Sequence, residues 1–201
     1  MAGKMEIYTN RQLNNSNYSW KIRLKDGELS TWLRNSNVHY LFFDGASKSN
    51  PKTAGAGGII YNANGEIQLS YEWGLGSLSN KRVEALALYQ GLVQLWKLGI
   101  RAAIVLGDSA TIISLMVHNR KVSNMILQKT INRCQEIAHQ IVDLRFFHVL
   151  QSLNKEANIC ANRACSKPIG SLSCNTTKTH QHLPWPISAW CTDWPAIYCQ
   201  I

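Results

Sequence analysis

"VHYLFFDGASKSNPKTAGAGGIIYNANGEIQLSYEWG", residues 38–74, decides the fold. It opens on an apolar run that ends in Asp44-Gly45, and a second apolar run begins after a glycine-rich stretch. Asn64-Gly65 then separates two strand-like segments, the strongest short-range signal for a hairpin. The stretch therefore predicts three strands paired as a meander.

Working outward, "SNKRVEALALYQGLVQLWKLG" (79–99) predicts a helix. Ser79 or Asn80 caps it, Leu88, Leu92, Leu95 and Trp96 recur at helical spacing, and Gly99 stops it. "RAAIVLGDS" (101–109) is apolar almost throughout, as a strand covered on both faces should be. Helices over 109–118 and 123–140 follow, then "VDLRFFHVL" (142–150) as a fifth strand, and Asn154 caps a last helix to about residue 167. A meander followed by strands joined through helices gives an α/β fold, a mixed sheet flanked by helices. Residues 1–36 are polar and aperiodic apart from a short strand signal at 20–24, and read as an N-terminal arm or linker. Residues 37–167 form the domain. Residues 168–201 hold four of the five prolines and three of the seven tryptophans without sustained period, and read as an irregular tail.

The 201 residues suffice for one well-cored domain, and 45% apolar with 16% charged residues argues against wholesale disorder. The net charge of +9 leans towards a polyanionic partner. The excess lies in residues 1–36, with six basic and three acidic groups, and in 37–167, with fourteen and eight. No run approaches 18 apolar residues, so no membrane span is expected. The N-terminus lacks the apolar core of a secretory signal, which points to an intracellular protein, in nucleus or cytoplasm, with its six cysteines reduced. No CxxC pair exists, so a zinc site is not expected. Gly55-Ala56-Gly57-Gly58 is followed by no Gly-Lys-Ser/Thr, which argues against a phosphate loop and for close backbone packing in the hairpin. Arg120, Lys121, Lys129 and Arg133 read as a solvated helix face or as a weak phosphate-binding stripe.

Three acids stand out in a chain short of them. Taken singly, Asp44 is a turn aspartate, Glu84 a helix N-terminal acid and Asp108 a cap for the next helix. Taken together, they converge at one sheet edge if the first and fourth strands are neighbours. Clustered carboxylates repel unless a cation neutralises them, and oxygen-only ligands suit Mg²⁺ or Mn²⁺. Two such ions would stabilise the attacking and leaving oxygens of a phosphodiester displacement.

"FFDGASKSNPKTAGAGGIIYNANGEI", "SNKRVEALALYQGL", "LGDS" and "FFHVLQSLNKEANICANRA", in that order and at fitting intervals, resemble ribonuclease H of type I, in its plant retroelement-like, reverse-transcriptase-associated branch. The resemblance covers about residues 38–167. It implies a ribonuclease H-like fold with a five-stranded mixed sheet, and cleavage of the RNA strand of RNA–DNA hybrids with two Mg²⁺ ions, Mn²⁺ being an alternative, by a monomer. Asp44, Glu84 and Asp108 match its metal carboxylates, and His148 a histidine that assists proton transfer or product release. Asn50 and Asn80 match residues that face the minor groove of the hybrid, where 2′-hydroxyls tell RNA from DNA. Lys81 stands where relatives often carry asparagine, and is expected to contact phosphate.

The departure is Asn158, where the resemblance places a fourth aspartate. Glu156 cannot replace it, because two residues along a helix is a rotation of about 200°. An amide oxygen can still ligate a hard cation but brings no charge, so weakened activity is expected. The alternatives are a nucleic-acid-binding module of the same fold that has lost turnover, and an inert retroelement-derived fragment.

Overall fold

The computed structural model describes residues 26–50 and 52–176. Its elements run α1 (Asp26–Asn35), β1 (His39–Ser49), β2 (Lys52–Tyr61), β3 (Ile67–Gly76), α2 (Asn80–Lys97), β4 (Ala102–Gly107), α3 (Ala110–His118), α4 (Met125–Ala138), β5 (Asp143–His148), α5 (Lys155–Ala164) and β6 (Leu172–Thr176). The strands form one mixed sheet in the order β5-β4-β1-β2-β3-β6. β1, β2, β3 and β6 pair antiparallel, while β1–β4 and β4–β5 are parallel. The expectation of an α/β fold, a mixed sheet flanked by helices, holds, with six strands rather than five.

The hairpin turns where Asn64-Gly65 predicts. Gly65 takes φ +83°, and the Asn62 side chain accepts from the backbone N–H groups of Asn64 and Glu66. α2 ends at Lys97, and Gly99, two residues on, takes the φ of +68° that lets the chain turn away. Leu88, Leu92 and Leu95 are fully buried as expected, whereas Trp96 is 52% exposed. One position on from Leu95 on a helix is a turn of about 100°, enough to carry a side chain off the core face.

Two apolar layers flank the sheet. The larger lies under α2, α3 and α4 and includes Leu41, Phe43, Leu88, Leu92, Val105 and Ile131. The second includes Tyr40, Phe42, Ile104, Leu106, Phe147 and Ala157, covered by α5 and α1. α1 revises the expected arm. Leu29, Trp32 and Leu33 recur at helical spacing, Leu29 and Leu33 are buried, and Trp32 meets the Phe147 ring edge-on at 5.4 Å. The strand signal at 20–24 lies outside the described residues. The start of the expected tail is also ordered. β6 satisfies the β3 edge, anchored by Gly74 N–H to the Ser171 carbonyl and by Lys167 Nζ to Glu72 at 3.2 Å.

The glycine-rich stretch packs a helix, not only the hairpin. A Cβ on Gly57 would lie 2.5 Å from the Cys160 carbonyl carbon and closer still to the Ala161 nitrogen, both α5 backbone. Gly57→Ala is therefore expected to push α5 off the sheet and to cost about 3 kcal/mol, read as a lower urea midpoint at unchanged m-value.

Candidate carboxylate site

β1 and β4 are parallel neighbours in the register Phe42↔Leu106. Asp44 and Asp108, each two residues further on, therefore arrive level, Asp44 midway along β1 and Asp108 one residue past the end of β4. Asp44 is buried, at 6% exposure, and Asp108 is half-buried. Glu84 enters from the first turns of α2, which approaches β1 so closely that a Cβ on Gly45 would lie 2.5 Å from the Glu84 nitrogen. Only glycine leaves that approach open.

The bonding partners of the three carboxylates are neutral. Asp44 Oδ1 accepts from Gly45 N–H at 2.8 Å and Oδ2 from Asn158 Nδ2 at 2.7 Å. Glu84 Oε2 accepts from the Ser109 hydroxyl. Asp108 Oδ1 accepts from Asn154 Nδ2 at 3.0 Å. Burial, then the Asp108 charge, pushes the Asp44 carboxyl up to about 6, against the pull of Asn158 and Gly45 and with a smaller push from Glu84. Glu84 is raised by burial and by Asp108, and lowered by Ser109 and Lys81. Among the described residues no three His, Cys, Asp or Glu side chains form a ready-made metal-holding group. Each carboxylate bonds its own neutral donor. The donor set nonetheless fits a hard divalent cation: carboxylate oxygens among which the Asp108 charge raises the proton affinity of Asp44 and Glu84, with no bonded base among the described residues to offset them.

His148, at the end of β5, places Nε2 3.1 Å from the Asp108 backbone carbonyl. A carbonyl only accepts, so Nε2 carries the proton of this hydrogen bond. Asn158 reaches the site as a donor to Asp44 Oδ2. Its carboxamide oxygen instead accepts from Asn162 at 3.0 Å. Asp108 does not cap α3: Ser109 occupies that position and makes no side-chain cap bond.

Asn154 is the residue that sequence reading misses. It stands at the N-cap of α5 but makes no side-chain cap bond. It is buried at 1% exposure, and its Nδ2 bridges the Phe43 carbonyl, at 2.9 Å, and Asp108. Its buried Oδ1 has no hydrogen-bond partner among the described residues. The only signal in the sequence is an asparagine four residues before Asn158 on one helix face.

Asn50, Asn80 and Lys81 are exposed at the same end of the sheet. Between them the β1 end and the β3–α2 loop, tied by Ser47 Oγ to the Leu78 carbonyl at 2.9 Å, border a groove of about 330 Å³. Lys48, Lys52 and Arg82 line it together with Ser47, Ser49 and Ser79. Arg120, Lys121 and Lys129 are exposed elsewhere, and Arg133 is half-buried. Among the described residues Cys134, Cys160, Cys165 and Cys174 are free thiols, and no helix is long and apolar enough to cross a membrane.

A family model described as reverse transcriptase-like matches residues 42–164. The bifunctional protein Rv2228c of Mycobacterium tuberculosis is 31% identical over 122 residues, which are 60% of this chain and 34% of the relative. The chain thus spans about a third of the length of the curated relatives it matches. Among solved structures, RNase H1 of the archaeon Halobacterium salinarum is 25% identical with a TM-score of 0.60, over 63% of this chain and 96% of that one. The N-terminal RNase H domain of Rv2228c is 29% identical with a TM-score of 0.60, over 63% and 92%. LC11-RNase H1, from compost, was solved in complex with an RNA/DNA hybrid; it is 25% identical with a TM-score of 0.59, over 63% and 96%.

Proposed function

The chain belongs to the reverse transcriptase-like family, with the ribonuclease H fold, and from that premise we propose that it is a divalent-metal-dependent endonuclease of weakened activity that cleaves the RNA strand of RNA–DNA hybrids. The observation that carries this reading is that Asp44, Glu84 and Asp108 stand together at the adjoining inner strands β1 and β4, with neutral hydrogen-bond partners among the described residues. The hybrid bound by LC11-RNase H1 supports the substrate class. Mg²⁺ or Mn²⁺, two ions in the full site, would be held by the three carboxylates. When bound, they acidify water and stabilise the attacking and leaving oxygens of the displacement.

The rest falls to this chain's own side chains. Asn50 and Asn80 face the minor groove and offer amides to 2′-hydroxyls. Lys81, with Lys48, Lys52 and Arg82 around the groove, holds backbone phosphates and orients the strand. His148 stands beside Asp108 to hand a proton to the leaving oxygen or to ease product release. Asn158 supplies no charge and turns its nitrogen to Asp44, which is why the activity is weakened. The same observation favours the second reading, a hybrid-binding module without turnover. The branch, plant retroelement-like, and the intracellular location of a monomer belong to this proposal, resting on the motifs and the free thiols.

The deciding experiment incubates the protein with labelled RNA–DNA hybrid and Mg²⁺ or Mn²⁺. Metal-dependent cleavage, faster with Mn²⁺, is expected. Tight binding of the hybrid without cleavage would establish the module instead, and neither binding nor cleavage would defeat both.

A further inference from the structure

Helix α5 carries asparagine at 158 and 162, four apart and hence on one face, and Asn154 stands four residues before Asn158 at its N-cap. Acceptor-only groups decide which way each carboxamide is turned, because a backbone carbonyl cannot donate. The Asn162 atom 2.9 Å from the Asn158 carbonyl is therefore its amide nitrogen. That same nitrogen lies 3.0 Å from the Asn158 carboxamide, which must present its oxygen there. The Asn158 nitrogen is left to face Asp44 Oδ2, again an acceptor. At the head of the row the Phe43 carbonyl fixes Asn154 in the same way and directs its donor to Asp108.

The geometry points to Asn162 as a positioning residue of the carboxylate site: exposed and touching no carboxylate, it holds the Asn158 donor on Asp44 and the Asn158 oxygen away from any cation there. The inference rests on the reading of the three carboxylates as a cation site. For Asn158 to give a cation its oxygen, the carboxamide must turn over. That turn breaks the bonds to Asp44 and Asn162 and sets two amide N–H₂ groups against each other. Asn162 thus converts the fourth corner from a ligand into an internal donor that competes with the cation.

The test uses the full chain stripped of metal, and Asn162→Ser. Serine has similar helix propensity and can still bond the carbonyl one turn back, but is too short to reach the Asn158 carboxamide. Mn²⁺ titrated calorimetrically is expected to bind Asn162→Ser about five-fold more tightly, the equivalent of one neutral hydrogen bond no longer opposing the turn. The side-chain amide protons of Asn158 in a ¹⁵N-labelled, metal-free sample are expected to shift. An affinity within two-fold of the parent together with unmoved Asn158 amide protons overturns the inference. If Mn²⁺ binds neither protein, the cation reading of the site fails, and the amide protons alone decide the Asn162 role: unmoved, they overturn it.

Discussion

Asp44→Asn is expected to abolish hybrid cleavage while making the metal-free protein more stable at pH 7–8. Removal of a buried carboxylate from a metal site of this kind is expected to lower cleavage by at least ~10³-fold. The stability gain follows from linkage. Asp44 holds its proton up to about 6 in the folded chain, above the 3.8 of an ordinary aspartate. Between those values the folded state is protonated and the unfolded state is not, so stability falls as pH rises from about 4 to about 6 and stays low above that. The shift corresponds to roughly 3 kcal/mol. Asparagine removes that burden but can accept only one of the two bonds from Gly45 and Asn158, a loss of about 1 kcal/mol. The net gain is about 2 kcal/mol, or roughly 4–8 °C in Tm. Thermal melts of parent and variant in chelator at pH 4.5 and pH 7.5 check this. The difference should be large at pH 7.5 and should shrink or reverse at pH 4.5, and an equal Tm at pH 7.5 would refute the electrostatic account.

Asn158→Asp is expected to act in opposite directions with and without metal. Without it, a donor to Asp44 Oδ2 is replaced by a second carboxylate beside a buried one. Loss of the bond and new repulsion together cost about 2–4 kcal/mol at neutral pH. With Mg²⁺ or Mn²⁺ the added charge becomes a ligand, and affinity should tighten by at least ~10-fold. The measurement is the Tm increment between chelator and saturating Mn²⁺, which should be several degrees larger in Asn158→Asp, accompanied by faster hybrid cleavage. A variant that melts like the parent in chelator and binds Mn²⁺ no more tightly would show that the 2.7 Å contact carries no weight in the site.

The sequence by itself determined the order of the elements from β1 to α5, because apolar period, turn chemistry and helix stops are local properties. Asn64-Gly65 and Gly99 act within a few residues of themselves, and Asp44 and Asp108 each end an apolar run that only a buried strand explains. Given parallel β1 and β4, that placement already brought the two carboxylates level. The helical stripe of Leu29, Trp32 and Leu33 was equally local, but it lies in a polar segment and gains meaning only against Phe147. β6 has no strong period of its own; the unpaired edge of β3 makes it a strand. Which atoms meet at the site was decided by the tertiary structure alone. Asn158 bonds Asp44 across 114 residues, and Asn154 bonds Phe43 across 111 and Asp108 across 46. No local rule links such positions. A carboxamide offers a donor and an acceptor at nearly the same cost, so it takes its direction from whichever acceptors the folded chain puts around it.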